Sequence, residues 1–101
     1  MIARATTPDI IFNFKHFNLE QVEKMELTIT QYDHKLVKRE NDLEVEGNTI
    51  RYTMTQQETL MFDAKADAEV QFRFLVSGKT IPTAIKKIRV DRTLNDEVIV
   101  W

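Results

Sequence analysis

The feature that most constrains the fold of this chain is an alternation of apolar and polar residues with a period of two. Successive side chains of a β-strand point to opposite faces of a sheet, so this alternation predicts strands with one dry face. Four segments carry it, and their apolar rows are Ile10, Phe12 and Phe14; Met25, Leu27 and Ile29; Ile50, Tyr52 and Met54; and Ala68, Val70, Phe72, Phe74 and Val76. The last row is the longest, and we expect its strand at the centre of a sheet.

Turn residues separate these segments. The strongest turn signal is Gly47-Asn48, because a two-residue Gly-Asn connection suits a type II′ or I′ hairpin, in which positive φ is tolerated. Ser77–Lys79 predicts a second hairpin turn. Shorter strands are expected at residues 35–38 and 42–46.

Within Thr80–Arg92 the alternation shifts by one residue, so that the apolar residues change from odd to even positions between Ile85 and Ile88. Either a β-bulge near residues 86–87 or a strand that changes sheets would explain the shift. Pro82 lacks a backbone donor, so we expect it on an edge or at a strand start.

Two short helical turns are predicted between strands. Asn18 is a suitable N-cap for a helical segment over Leu19–Lys24. Thr55 and Glu58 have the spacing of a capping box, which predicts a second turn that begins at Gln56.

These elements define the expected architecture. About seven to eight short strands, without long helices between them, predict an all-β, antiparallel β-sandwich; a barrel uses the same alternation and stays open as an alternative. A length of 101 residues matches one domain, so residues 1–101 are assigned to a single β-sandwich domain.

The sequence offers little for catalysis. It contains no cysteine and only two glycines, which excludes thiolate metal sites and glycine-rich phosphate loops in their usual forms. His16 and His34 have no neighbouring metal-ligand motif. The carboxylates are best explained as solvated strand faces or turns. We therefore predict a non-enzymatic protein with no catalytic, cofactor-binding or metal-binding residues.

Charge and hydropathy bear on partners and location. The net charge of −2 and the interrupted basic clusters argue against nucleic-acid binding. No apolar run resembles a signal peptide or a membrane helix, so we expect a cytoplasmic protein without membrane contact, unless it leaves in a larger particle.

The apolar C-terminal run has two interpretations. It consists of Val98, Ile99, Val100 and Trp101. We expect it to form a final core strand, while an exposed docking tail that awaits a partner stays open as the alternative. Most other aromatic residues share the apolar parity of their strands, which favours a core over a ligand-stacking surface.

Several segments of the sequence resemble segments of small proteins from the tail modules of phages and prophages of Gram-positive bacteria. They are Arg4–Pro8 with Ile10–Phe12, Thr55–Leu60, Ala68–Arg73, and Val90–Arg92 with Leu94 and Asp96–Ile99. Their order is similar to that in the N-terminal domain of phage baseplate upper proteins, an immunoglobulin-like β-sandwich. The resemblance covers nearly the whole chain, but it brings no functional residues with it.

The resemblance implies a structural component of a phage or prophage tail or baseplate that acts through protein–protein docking. Its partners would be other virion proteins or further copies of itself. It would be assembled in the cytoplasm of the host bacterium and then reside in the virion. The alternative function is a small β-sandwich module that binds carbohydrate or a cell-surface peptide, which would need solvent-facing aromatic residues or a polar groove.

Overall fold

A computed structural model of the chain describes residues 1–100. Strands account for 47% of the structure and helical turns for 10%, so the protein is all-β, as the alternation predicts. The strands are β1 (Ile2–Ala3), β2 (Asp9–Asn13), β3 (Lys24–Gln31), β4 (His34–Arg39), β5 (Glu44–Glu46), β6 (Thr49–Thr53), β7 (Ala68–Val76), β8 (Lys79–Pro82), β9 (Lys86–Ile88) and β10 (Val90–Asp91). These ten strand segments within residues 1–100 exceed the expected seven to eight because the C-terminal strand is divided and two segments have only two residues each.

The larger sheet has the order β4-β3-β7, with β8 and β9 both paired to the far edge of β7. All of its pairings are antiparallel, and β7 lies in the middle as predicted. The alternation sets the orientation of each strand, because the predicted apolar rows of β3 and β7 are buried. Only Val76, at the end of its row, is partly exposed.

The smaller sheet has the order β2-β6-β5, again antiparallel. The predicted hairpin connects β5 to β6 through Gly47 and Asn48. Gly47 has a φ of 59°, and it alone of these two residues lies in the left-handed region, which is the φ pattern of a type II′ turn. A substitution with a Cβ atom at Gly47 would be strained by this backbone conformation.

The two sheets pack face to face around one core. Its buried residues come from both sheets and from the segments that connect them: Ile2, Ile10, Leu19, Met25, Leu27, Ile29, Leu43, Ile50, Tyr52, Met54, Phe62, Ala68, Val70, Phe72, Phe74 and Val90. Phe12 and Phe14, which the alternation also assigns to the core, are only partly buried. The sandwich is therefore incompletely filled beside β2.

The predicted irregularity after Pro82 is present, but it lies slightly earlier than expected. β7 pairs with β8 at Arg73↔Pro82 and with β9 at Val70↔Lys86, so three steps along β7 oppose four steps along β8–β9. The extra residue is a β-bulge between Pro82 and Lys86, rather than at residues 86–87. Pro82 lies on an edge strand, as its missing donor requires.

The chain also changes sheets after this bulge. β10 leaves the larger sheet and pairs in parallel with β1, with Ile2 beside Val90. The backbone N–H of Ile2 donates to the carbonyl of Arg89 at 2.8 Å, and that of Arg4 donates to Asp91 at 2.9 Å. The sequence did not predict β1, because two residues are too short to show a period.

The helical segments are shorter than predicted. Asn18 caps its helix through a hydrogen bond from the N–H of Glu20, but a 3-10 helix covers only Leu19–Gln21, and Lys24 already belongs to β3. The capping box between Thr55 and Glu58 is present in both directions and begins the helix α1, Gln56–Thr59. A second 3-10 helix, Glu40–Asp42, replaces the start of the strand expected at residues 42–46.

A buried glutamine fixes the long connection after α1. The amide nitrogen of Gln31 donates to the carbonyls of Asp63 at 2.7 Å and Ala66 at 2.8 Å, and its oxygen accepts from the N–H of Asp63. These bonds satisfy polar backbone groups that would otherwise be costly to bury.

Candidate functional site

An apolar groove lies between the outer strands of the two sheets. On this side, which we call the open side, β2 of the smaller sheet faces β8 and β9 of the larger one across a groove of about 450 Å³. The residues that line the groove are Ile11, Phe12, Asn13, Phe14, Phe17, Val70, Phe72, Phe74, Ile81, Pro82, Thr83, Ala84 and Lys86. Lys86 is the single charged residue among them, so the groove is an apolar surface.

Five phenylalanines form the wall and floor of the groove. Phe72 meets Phe12 and Phe14 edge-to-face, with ring centroids 4.8 and 5.5 Å apart, and stacks with Phe74 at 5.6 Å. Phe74 meets Phe14 edge-to-face at 5.5 Å and stacks with Phe17 at 5.2 Å. These separations are favourable for aromatic pairs, so the rings form a cohesive surface and not a loose void.

One rim of the groove is an unpaired strand edge. β2 pairs with β6 so that Ile10 opposes Tyr52, and the N–H of Phe14 donates to Asn48 at 2.9 Å. In an antiparallel pair the backbone groups of alternate residues point toward the partner. The N–H and C=O groups of the odd-numbered residues of β2 therefore point away from β6, toward the groove side. Ile11, in the middle of this row, is 58% exposed.

The opposite rim is held to the larger sheet by side-chain bonds at the bulge. The hydroxyl of Thr83 accepts from the N–H of Phe72 at 3.0 Å, and the N–H of Thr83 donates to the Phe72 carbonyl at 2.9 Å. The amide of Gln71 donates to the Thr83 carbonyl at 2.9 Å. These bonds keep the chain beside β7 where the ladder is interrupted.

The other side of the sandwich, which we call the closed side, lies where the chain passes from β4 to β5. Here Lys38 of β4 approaches the Glu58 carboxylate at 2.8 Å, and the Tyr52 hydroxyl of β6 donates to the same carboxylate at 2.5 Å. The ammonium of Lys38 also lies 5.8 Å from the centre of the Tyr52 ring, within the range of a cation–π contact.

The pKa values on the closed side follow from burial and pairing. Burial raises the pKa of Tyr52, and the hydrogen bond to Glu58 raises it further. Burial alone would also raise the pKa of Glu58, but hydrogen bonds from Lys38, Tyr52 and the Thr55 N–H outweigh it and lower that pKa. The group has the chemistry of an internal ion pair that links β4, β6 and α1, and every polar atom in it has a partner.

The predicted C-terminal docking residues take a different position from the expected core strand. Val98, Ile99 and Val100 lie outside any strand and are exposed, so the expectation of a final core strand is wrong for these three residues. Trp101, the fourth member of the run, lies outside the described residues. The N–H of Ile99 donates to the side-chain oxygen of Gln56 at 2.8 Å, and the Gln56 amide donates back to the Ile99 carbonyl at 2.9 Å.

The histidines are apart from both sides. His16 lies in the loop after β2, and His34 is the first residue of β4. Among residues 1–100, no three histidine, cysteine or carboxylate side chains are grouped as metal ligands would be. The only α-helix in that range, Gln56–Thr59, is far too short to cross a membrane.

The sequence contained two signals of the groove that the strand pattern obscured. Ile11 is an apolar residue on the solvent-facing side of β2, and it lies on the groove rim. Period two correctly turns Phe12 and Phe14 inward, but it does not indicate whether another element covers them. Pro82 was the second signal, because it marks the facing strand as an edge.

The comparisons with known proteins add no further assignment. No protein-family model matches the chain, and no curated protein or solved structure matches it either.

Proposed function

We propose that this protein is a non-enzymatic docking domain, a structural component of a phage or prophage tail or baseplate that acts through protein–protein contacts. The observation that carries the docking function is the open side, where an apolar groove adjoins an unpaired strand edge. The assignment to a tail or baseplate is supported by the sequence resemblance described above.

The groove has the properties of a protein-binding surface. Its walls are hydrophobic and aromatic, which are the residue types that supply most of the binding energy at the centres of protein interfaces. The unpaired backbone groups of β2 add hydrogen bonds that an extended segment can satisfy, which is the binding mode known as β-augmentation. An extended protein segment fits both features at once.

A carbohydrate site would place different groups on the surface. Sugars are bound by exposed aromatic faces combined with polar hydrogen-bonding groups, whereas the polar side chains that line the groove are Asn13, Thr83 and Lys86. Phe72 and Phe74 are buried under their neighbours and offer no free ring face. We therefore favour a protein partner, and a glycan array serves as the opposing test.

The location in a virion is tested on particles. Phage particles are induced from a host that carries the gene, purified by density gradient, and separated into heads and tails for quantitative mass spectrometry. We expect this chain in the tail fraction at a fixed ratio to other tail proteins. Its absence from intact particles, or its removal by washing with salt, would contradict the proposal.

A further inference from the structure

The outer strands of the sandwich differ in how they are protected against the addition of another strand. β4 carries two lysines and one arginine, and β5 has only three residues, two of them glutamates. β8 and β9 together contain three lysines and Pro82. Charges, short length and proline are the usual devices that blunt a strand edge. β2 exposes Ile11 at its centre at 58%, more than Val37 of β4 at 39% or Val45 of β5 at 46%, and Ile11 is not flanked by basic residues or glutamates, so β2 is the outer strand best suited to pairing.

Proline affects the two rims of the groove differently. The N–H of Thr83 is bonded to Phe72, so by alternation the backbone position of Pro82 points away from β7, toward the free edge. Pro82 therefore removes a donor from the edge of β8. The free edge of β2 has no such interruption within Asp9–Asn13. An added strand is expected on β2, with its inward side chains on the phenylalanines.

The same chain contains a segment with the matching chemistry. Val98, Ile99 and Val100 are β-branched residues that favour strands, yet they lie outside any strand here and are exposed to solvent. In an extended conformation Val98 and Val100 share one face and Ile99 the other. The two valines would then face the apolar groove, while Ile99 would lie on the outer face, which is also the face of Ile11.

Charge indicates the direction of the added strand. Glu97 precedes the apolar run, and Lys15 follows β2. Both side chains are exposed, and both would lie on the outer face. Antiparallel pairing brings Glu97 toward Lys15, whereas parallel pairing would bring it toward Asp9. The antiparallel arrangement therefore joins opposite charges and avoids like ones.

The segment does not occupy the groove of its own chain. Ile99 is bonded to Gln56, which follows the end of β6 that pairs with Asp9, the start of β2. The phenylalanine groove lies toward the other end of β2, beside Phe12, Phe14 and Phe17. The segment of a second copy can approach the groove from outside, and its two bonds from Ile99 to Gln56 are then exchanged for bonds to β2.

We propose that the free edge of β2 and the phenylalanine groove bind residues 97–100 of a second copy of this chain as an added antiparallel strand. This inference rests on the proposed docking function and names its partner. Each copy has one groove and one donor segment, so the contact is either exchanged between two copies or repeated from copy to copy.

The first test alters the donor segment. Leu94 and Val100 are 99% and 94% exposed, so lysine at either position should leave the fold of a single chain unchanged. By light scattering after size exclusion, the wild-type mass should rise with concentration from one chain toward two or more. Val100→Lys should remain at the mass of one chain, whereas Leu94→Lys should behave as wild type.

The second test alters the receiving edge. Ile11→Pro removes an N–H that points away from β6, so the pairing within the sheet is retained, and the variant should remain a single chain. Ile11→Val keeps the N–H and should associate as wild type. Circular dichroism confirms that each variant folds. If Ile11→Pro does not fold, a fluorescent peptide of residues 94–100 replaces it and should bind the Val100→Lys protein, while a scrambled peptide should not.

Mixing provides the decisive result. Ile11→Pro has an intact donor segment and Val100→Lys has an intact edge, so an equimolar mixture should form a one-to-one complex although neither variant associates alone. A wild-type protein that remains a single chain at all concentrations, or a Val100→Lys protein that associates as wild type, would overturn the inference. Neither result would remove the chain from purified tails, so the proposed function is tested separately.

Discussion

The two sheets are held together by different interactions on the open side and on the closed side of this sandwich. On the closed side, the sheets are joined by the chain itself and by the Lys38–Glu58–Tyr52 group, whose bonds are 2.8 and 2.5 Å long. On the open side, the phenylalanines contact one another across the sheets, but no ion pair spans the groove between β2 and β8–β9 within residues 1–100.

The polar bonds of the closed side hold the two sheets at a fixed distance, whereas the rings of the open side form a surface. Directional polar bonds fix the distance between two elements, because their energy depends strongly on geometry. Aromatic packing is less directional, so a surface built from rings can accept an additional apolar partner. We therefore expect variants of the closed side and of the groove floor to change stability, and variants of the free strand edges to change association. The following predictions are arranged from the largest expected effect to the smallest.

The largest effect is expected at the floor of the open side. Phe72 is 2% exposed and contacts three other rings, so Phe72→Ala should lower the free energy of unfolding by about 3–5 kcal/mol. Phe17, at the rim, is partly buried and stacks on one ring, and Phe17→Ala should cost about 1–2 kcal/mol. Urea unfolding measures both. Equal losses would show that the rim is as much a part of the core as the floor.

Glu58→Gln should lower the stability at neutral pH by about 2 kcal/mol, because it removes the charge that pairs with Lys38. The folded-state pKa of Glu58 lies below its ordinary value of 4.5. The stabilisation by the carboxylate is therefore present above pH 4.5 and is lost as the pH falls through the folded-state pKa. The difference between wild type and variant should shrink accordingly in urea unfolding at acidic pH.

A second glutamate-to-glutamine substitution, at an exposed ion pair, serves as the control for the loss of the Glu58–Lys38 pair. Glu44 pairs with Arg51 on the exposed face of β5–β6, so Glu44→Gln should leave the unfolding midpoint unchanged at both pH values. A pH dependence in Glu58→Gln identical to that of wild type would show that Glu58 does not contribute to acid sensitivity.

Tyr52→Phe should cost about 1 kcal/mol at pH 7, because it removes one hydrogen bond to Glu58 and keeps the buried ring. The folded-state pKa of Tyr52 is raised, so the stabilisation is complete below its ordinary value of 10.0 and is lost as the pH rises above it. The cost should therefore decrease in urea unfolding above pH 10. Tyr32→Phe, at an exposed position, should leave the midpoint at pH 7 unchanged. A cost that persists at high pH would contradict the assignment.

The smallest effect on stability is expected at Pro82. Because its backbone position points to solvent, Pro82→Val should change the free energy of unfolding by less than about 0.5 kcal/mol. It should nevertheless add an N–H to the free edge of β8 and increase self-association, measured by light scattering. If association stays at the wild-type level, the contrast between the two rims does not depend on proline.

The sequence predicted which face of each strand is buried, but it did not predict the distance between the two sheets at the groove. The four apolar rows identified β2, β3, β6 and β7 and the faces that they bury, because period two follows directly from strand geometry. Gly47-Asn48 identified the turn because its backbone φ suits glycine. The width of the groove depends on how far the two sheets diverge, which is a property of the bulge after Pro82 and of long-range packing that no local pattern encodes.

The candidate site was predictable only in part for a similar reason. The C-terminal run was expected to form a core strand, which is wrong for Val98–Val100, and a docking tail was the alternative. The alternation placed the apolar Ile11 on the solvent-facing side of β2 and gave no reason for its exposure. The Lys38–Glu58–Tyr52 group was missed because its members come from β4, α1 and β6, and only the tertiary fold brings them together.

The parallel pairing of β1 with β10 determines how the domain responds to mechanical load. The hydrogen bonds between Ile2 and Arg89 and between Arg4 and Asp91 join the first strand to the last. Opposite pulls at Ile2 and beyond Asp91 would slide these two strands along each other, so the bonds resist together in shear and do not open one after another.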